Sequence, residues 1–241
     1  LENGGCWDKA TDTGFCLSDD STRLSGWRYS SGWAKDQKVW FVAEFSKPVK
    51  GITFLQPGET TGAGTAARYA RVDFDTTESE PLLVKVALSP VSAEGAAANL
   101  AAELPGWDFD ATAAAATAAW EAELGKVRIE TQDEAAKRIF YTALYHTMVA
   151  PSEFCDADGT YRGADGRVHE NPGYKTHTTF SLWDTYRAAM PLMTILHPDR
   201  MPDIICTMLA IADEQGRLPV WHLWGNETDC MVGNPGIPVV A

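Results

Sequence analysis

The sequence has 241 residues, of which 45% are hydrophobic and 22% are charged, and both fractions are ordinary for a folded globular protein. Its formal net charge of −13 at pH 7 disfavours phosphate backbones and anionic lipid, so nucleic acid and membranes are poor candidate partners and neutral glycans fit better. No apolar stretch is long enough to cross a bilayer, and the five scattered cysteines lack CxxC spacing, so they predict neither a disulfide framework nor a zinc site.

Residues 36–90 predict β-strands. Apolar residues alternate with others in KVWFVAEF (38–45) and again in LLVKVALS (82–89), which is the pattern of strands that bury one face. Turn-forming residues separate these runs, so an antiparallel β-sandwich is the natural interpretation. The residues of the last run that are expected to point inward are Leu82, Val84, Val86 and Leu88.

The composition changes near Ser92, after which alanine dominates. Residues 93–104 and 109–124 predict two helices, because alanine has the highest helix propensity, and Pro105 and Gly106 separate them. We interpret residues 93–125 as a helical linker between a β domain (1–92) and a helical domain (126–241).

Three further helices are predicted in the last part of the chain. The first begins at a capping box formed by Thr131 and Glu134. The second begins at Ser181, extends towards residue 197 and is expected to kink at Pro191. The third begins after residue 199 and ends near Gly216, a typical C-terminal glycine.

A loop of about thirty residues, 151–180, lies between the first two of these helices, and loops of that length in a compact domain are usually functional or mobile. Asp156 and Asp158 alternate as they do at the start of a calcium-binding EF-hand loop. The spacing then fails, because Gly159 is fourth instead of sixth and Arg167 occupies the place of the twelfth-position glutamate. Ordinary Asp/Gly turns are therefore the favoured interpretation.

SLWDTYR (181–187) is the first candidate for a site. Trp183 and Asp184 lie in the first turn of a helix that follows the long loop, where a carboxylate can accept hydrogen bonds from sugar hydroxyls while an indole packs on a sugar ring. The alternative is structural, because Asp184 is third after Ser181 and could cap the helix.

WHLWGNETDCMVG (221–233) is the second candidate. A carboxylic acid beside aromatic rings is desolvated, which raises its pKa and suits it to proton donation, so Glu227 is the local candidate for a general acid. A buried glutamate that binds the backbone of its own loop is the alternative. No lipase-type elbow, P-loop or dinucleotide-binding glycine motif occurs in the sequence.

Several motifs in order resemble glycoside hydrolase family 92. They are GWAKDQKVWFVAEFSKPV, VALSPVSAEGAAANLAAELPGWDF, FYTALYHTMVAP, DGTYRG, SLWDTYRAAMPL, LPVW and GNETDCMVG. The resemblance implies a β-sandwich domain, incomplete here, followed by a helical linker and the first helices of an (α/α)6 barrel.

The same resemblance implies a calcium-dependent, inverting exo-α-mannosidase that acts on N-glycans or mannan and is secreted or periplasmic. Inversion uses one carboxylic acid and one carboxylate base. Trp183 and Asp184 match sugar-binding positions of the family, which favours the binding role for Asp184. The family's EGNxWQY, GNEP and GNDDxGxMSAW motifs, which carry the acid, a calcium ligand and the base, do not occur here.

The acid, the base and the calcium ligands are therefore expected beyond Ala241, and the chain is expected to be an inactive portion of a longer enzyme whose remainder is its partner, together with a mannose-containing glycan. Two alternatives stay open. One is a glycan-binding module without activity, and the other is an (α/α)6 glycosidase that acts on glucosides.

Overall fold

The computed structural model describes residues 8–61, 64–75 and 80–241, and Cys6 lies outside this part of the chain. The N-terminal part forms one antiparallel sheet of six strands in the order β4-β5-β1-β2-β3-β6. The strands are β1 (Lys9–Leu17), β2 (Arg23–Ser31), β3 (Gln37–Phe45), β4 (Gly51–Thr61), β5 (Gly64–Asp73) and β6 (Val84–Ser89).

The strands predicted within residues 36–90 are present, and the hairpin of β1 and β2 before them was missed. Its apolar alternation is weak because glycines replace side chains at two paired positions. Gly14 lies opposite Trp27, and a Cβ atom on this glycine would come within 2.3 Å of the indole ring. Such a glycine allows close packing in the folded sheet. In the sequence it interrupts the alternation of apolar and polar residues from which a strand is predicted.

Helix α1 (Ala93–Glu103) covers one face of the sheet. Ser92 is its N-cap and accepts a hydrogen bond from the Gly95 N–H at 3.0 Å. Ala96 and Leu100 are buried against Val42 of β3. Helix α2 (Phe109–Leu124) follows, so both alanine-rich helices and the break between them are confirmed.

The opposite face of the sheet is apolar, and its β6 edge is open among the described residues. Leu82, Val84, Val86 and Leu88 are 38%, 50%, 53% and 52% exposed, so the prediction that they are buried is wrong for this structure. Phe41, the register partner of Leu88, lies on the same face, and Phe41, Val86 and Leu88 help to line a cavity of about 430 Å³. The side chains of β6 do alternate between the two faces of the sheet, but helix α1 packs on the face that carries Ala87.

Helix α3 (Glu134–His146) begins two residues later than a cap at Thr131 would give. Asp133 is the N-cap, and its carboxylate accepts from the Ala135 and Ala136 N–H groups at 2.9 and 3.0 Å. The predicted capping box is therefore wrong, since the nearer acidic side chain reaches the free N–H groups first.

The long loop contains short two-residue strands instead of irregular chain. Two small ladders, β7 with β10 and β8 with β9, fold the loop onto itself, and its last strand, β11, joins a separate three-stranded sheet. The strands are β7 (Ser152–Glu153), β8 (Tyr161–Arg162), β9 (Val168–His169), β10 (His177–Thr178) and β11 (Phe180–Ser181).

The helix predicted from Ser181 is divided into two. Helix α4 (Leu182–Thr185) is a single turn, and α5 (Ala189–Leu196) begins after three intervening residues. The expected kink at Pro191 is wrong, because this proline occupies the first turn of α5, where its missing N–H has no helical partner to lose.

Helix α6 (Met201–Gln215) ends as predicted at Gly216, whose φ of 84° is the left-handed conformation that favours glycine. The hairpin β12 (Trp221–Leu223) and β13 (Asn226–Glu227) and the short helix α7 (Gly236–Val240) complete the described chain. A second core lies here, formed by Phe180, Leu182, Met190, Met193, Met201, Ile204, Met208 and Ile211. The β-then-α order implied by the resemblance is confirmed.

No helix within the described residues has both the length and the apolarity that a bilayer span requires. The four described cysteines are free thiols.

Candidate functional site

The three-stranded sheet β11-β12-β13 brings the two predicted site segments together. Ser181 of β11 is the register partner of Trp221 in β12, and His222 of β12 is the partner of Glu227 in β13. Because α4 starts directly after β11, the side chains of its first turn begin next to this hairpin. The two segments are far apart in the sequence, but in the fold they form one contiguous candidate site.

Asp184 is exposed at this position, and Trp183 beside it is partly buried. The Asp184 carboxylate accepts a hydrogen bond from the Ser181 hydroxyl at 2.5 Å, whereas Ser181 makes no side-chain bond to the backbone of the helix. The bond orients a carboxylate that solvent can still reach. Its role in sugar binding stays a prediction.

Glu227 is buried, and both of its carboxylate oxygens are occupied. Oε2 accepts from the Val220 N–H at 2.8 Å, and Oε1 accepts from the N–H groups of Trp221 and Asp229 at 3.0 and 3.2 Å. Three backbone N–H groups thus donate to one carboxylate. This is the geometry expected for a buried glutamate that binds the backbone of its own loop. The catalytic role of Glu227 stays a prediction that this geometry does not favour.

A loop of the β domain, residues 32–36 between β2 and β3, contacts this hairpin. The Asn226 side chain accepts from the Asp36 N–H at 3.0 Å and donates to the Asp36 carbonyl at 3.1 Å, so one amide satisfies both backbone groups. The Lys35 ammonium lies 2.7 Å from an Asp229 carboxylate oxygen, and Arg217 pairs with the other oxygen. The two domains therefore meet at the candidate site.

An aromatic pair lies across the same seam. The ring centroids of Trp33 and Trp221 are 4.4 Å apart at an interplanar angle of 45°, and Trp33 remains exposed. Sequence reasoning missed Trp33, Lys35 and Asp36. The available signal was GWAKDQ, a polar loop with a tryptophan beside a predicted strand, and nothing local connects it with residues about 190 positions later.

Strained backbone also concentrates around the hairpin. Among the described residues, five other than glycine have positive φ, and four of them are Thr179, Trp224, Asp229 and Met231. Trp224 at 49° and Gly225 at 74° form the turn between β12 and β13, where two left-handed residues match the twist of a two-residue hairpin. Strain held in place by surrounding contacts is common at binding and catalytic sites.

The Asp156 carboxylate, part of the calcium-like stretch, forms a second junction between the domains. It is buried and accepts from the Ser89 hydroxyl at 2.8 Å and from the Asn99 side chain at 2.9 Å. Burial raises the pKa of Asp156, and these two donors oppose the shift. Asp158 binds Thr160 within its own turn, so both aspartates have the turn and packing roles that the failed EF-hand spacing favoured.

No group of three or more acidic, histidine or cysteine side chains converges as a metal site within residues 8–61, 64–75 and 80–241. These residues therefore do not form a complete calcium site, and calcium dependence stays a prediction of the resemblance.

The protein has a β domain and an α-helical domain, which meet at tryptophans, exposed carboxylates and a strained hairpin. This seam has the chemistry of a carbohydrate site. Residues 95–241 match the glycosyl hydrolase family 92 catalytic domain, and residues 1–89 match the glycosyl hydrolase family 92 N-terminal domain. The chain belongs to glycosyl hydrolase family 92.

Solved structures of this family resemble the chain over nearly all of its length. A family GH92 α-mannosidase from Bacteroides thetaiotaomicron is 35% identical over 97% of this chain and 33% of its own, with a TM-score of 0.88. Its complex with mannoimidazole matches with the same identity and TM-score. An inverting family GH92 mannosidase from the same organism is 26% identical over 95% of this chain and 32% of its own, with a TM-score of 0.80.

The chain thus spans about a third of the length of these structures. No curated protein matches it.

Proposed function

We propose that the chain is part of an inverting, calcium-dependent exo-α-mannosidase that removes terminal α-mannose from N-glycans or mannan. The observation that carries the proposal is the 35% identity, across both domains, to an α-mannosidase whose structure is also known with mannoimidazole. The contact of Trp33 with Trp221 across the domain seam, next to the segment that carries Asp184, supports the proposal.

Within this proposal, Asp184 and Trp183 bind the terminal mannose. The Ser181 hydroxyl occupies one Asp184 oxygen and orients the carboxylate, which accepts hydrogen bonds from sugar hydroxyls. Trp183 offers an apolar ring face to the carbon-bound hydrogens of the sugar. These are binding roles, and no proton transfer is assigned to either side chain.

Glu227 is proposed to hold the hairpin instead of donating a proton. Its three backbone bonds keep β13 beside β12, which places Asn226 and Asp229 against the 32–36 loop of the β domain. The acid and the base that an inverting reaction requires are proposed to come from the part of the enzyme that this chain does not span.

Calcium, when bound, would supply positive charge for sugar hydroxyl oxygens, and its ligands are proposed to lie in that same part of the enzyme.

The experiment is a rate measurement on the full-length enzyme with aryl α-mannosides and aryl α-glucosides, before and after chelation of calcium. NMR of the first sugar released gives its anomeric configuration. The proposal expects β-mannose from the α-mannoside, loss of the rate with chelator and recovery with added calcium. Release of α-mannose, a preference for glucosides or a rate indifferent to chelator would each contradict it, and binding without turnover would identify a glycan-binding module.

A further inference from the structure

Beneath the candidate site, two buried ring nitrogens have no hydrogen-bond partner among the residues that the structure describes. They are Nδ1 of His177 in β10 and Nε2 of His222 in β12, and their residues are only 8% and 2% exposed. A buried polar atom without a partner loses its hydration and gains nothing in exchange, so folded proteins rarely keep one. Two in adjacent elements call for a shared explanation.

The other ring nitrogen of His222, Nδ1, has the Thr178 hydroxyl as its partner. The Thr178 hydroxyl oxygen accepts from the Trp224 N–H at 2.7 Å and lies 3.2 Å from Nδ1 of His222. When the hydroxyl gives its one hydrogen to Nδ1, the ring of neutral His222 carries its proton on Nε2. Burial lowers the pKa of His222 to about 4, so the neutral ring is the relevant form. Nε2 is a donor in that arrangement and an acceptor in the other tautomer, and a water molecule can satisfy either.

Both histidines line one small internal cavity. It offers about 10 Å³ to the centre of a water molecule, which is enough for a water and too little for an organic ligand. Glu214 also lines it, but its two oxygens are taken by the Tyr161 hydroxyl at 2.8 Å and the Ala164 N–H at 2.6 Å. Its carboxylate is not within hydrogen-bond distance of either unpartnered ring nitrogen, so it does not supply the missing partner.

We propose that this cavity binds one water molecule that bridges Nε2 of His222 and Nδ1 of His177. The water satisfies both ring nitrogens with one bond each. It ties the β12-β13 hairpin, which carries Glu227 and Asp229, to the β7-β10 ladder of the preceding segment. A metal ion is the other occupant that imidazole nitrogens attract, but no third ligand side chain converges here among the described residues.

The direct test is a crystal structure of the full-length enzyme at a resolution that shows ordered waters. The expected result is one density peak within about 2.7–3.2 Å of both nitrogens. An empty cavity or a peak that touches only one ring overturns the proposal. A peak with anomalous signal at about 2.0–2.1 Å identifies a metal and overturns it as well.

A double-mutant cycle tests the bridge in solution. His177→Phe and His222→Phe each remove one partner of the water, so each should lower the melting temperature, and the double variant should melt at about the temperature of the less stable single variant. The control cycle combines His177→Phe with Asp20→Ala in the β1-β2 turn of the other domain, where the two losses should add. Additive losses for the two histidines would refute a shared water.

Discussion

Replacement of Glu227 by glutamine distinguishes a proton donor from a residue that holds the hairpin. A glutamine amide has one oxygen to accept hydrogen bonds, so in its better orientation it keeps the bonds from Trp221 and Asp229 and turns an N–H₂ group towards the Val220 N–H. One charge-assisted bond becomes a contact between two donors, and the other two weaken because the acceptor is neutral. The expected cost is about 2–4 kcal/mol of stability.

The measurements are the melting temperature and the pH profile of kcat/KM of the full-length enzyme. For a holding role, Glu227→Gln lowers the melting temperature by several degrees, reduces kcat/KM about tenfold through misplacement of the hairpin, and leaves the pH limbs in place. Loss of a general acid would instead cost about 10²–10⁴ in rate and remove the basic limb.

Glu214→Gln is the matched control, because Glu214 is also a buried carboxylate that accepts from a backbone N–H, at 2.6 Å, but lies outside the hairpin. It should lower the melting temperature without changing kcat/KM. A Glu227→Gln variant that melts like the wild type and has lost more than about 100-fold in kcat/KM would refute the holding role and restore the catalytic one.

Three further outcomes are expected in the full-length enzyme. Asp156→Ala leaves the buried donors of Ser89 and Asn99 without their acceptor and should cost about 2–4 kcal/mol in urea unfolding, and a loss below the error of the measurement would contradict this junction. Burial lowers the pKa of His222 to about 4 in the folded state, below the unfolded value of 6.5, so the unfolded chain binds more protons between these pH values. The contribution of neutral His222 to stability is therefore fully present above pH 6.5, and the free energy of unfolding falls by up to about 3 kcal/mol as the pH drops towards 4. In a His222→Gln variant the free energy of unfolding should depend less on pH. Equal pH dependence in the two proteins would disprove the lowered pKa of His222. Asp184→Ala should reduce kcat/KM for α-mannosides about 100-fold. The melting temperature should not change, because the Asp184 carboxylate is exposed. A lower melting temperature with normal kinetics would favour the capping role instead.

Local patterns predicted the elements that depend on local physics. Alanine-rich segments form α1 and α2 at or within one residue of the predicted bounds, and Gly216 ends α6, because propensity and capping are decided by neighbours in the chain. The division between α4 and α5 was not visible in the sequence, and Pro191 was assigned the wrong consequence. A proline is compatible with a first helical turn and disrupts an interior one, and only the true helix start decides which applies.

Which face of the sheet is buried could not be deduced from the alternation of apolar residues alone. Val84, Val86 and Leu88 do share one face, yet the sequence does not indicate which face a helix will cover. The site shows the same limit. Trp183 and Glu227 were each recognisable as candidates. The pairing of Ser181 with Trp221, which joins their two segments, is a long-range register that no local pattern encodes.

The reciprocal bond between Asn226 and Asp36 constrains how this enzyme can be recombined with its relatives. Asn226 contributes its side chain, and an aspartate there would lose the donor, whereas residue 36 contributes only backbone and its side-chain type is free. A chimaera that exchanges the β domain alone will keep this bond when the loop backbone is preserved. A chimaera that replaces residue 226 will lose this bond and depend on the Lys35–Asp229 ion pair and the Trp33–Trp221 contact to hold the seam.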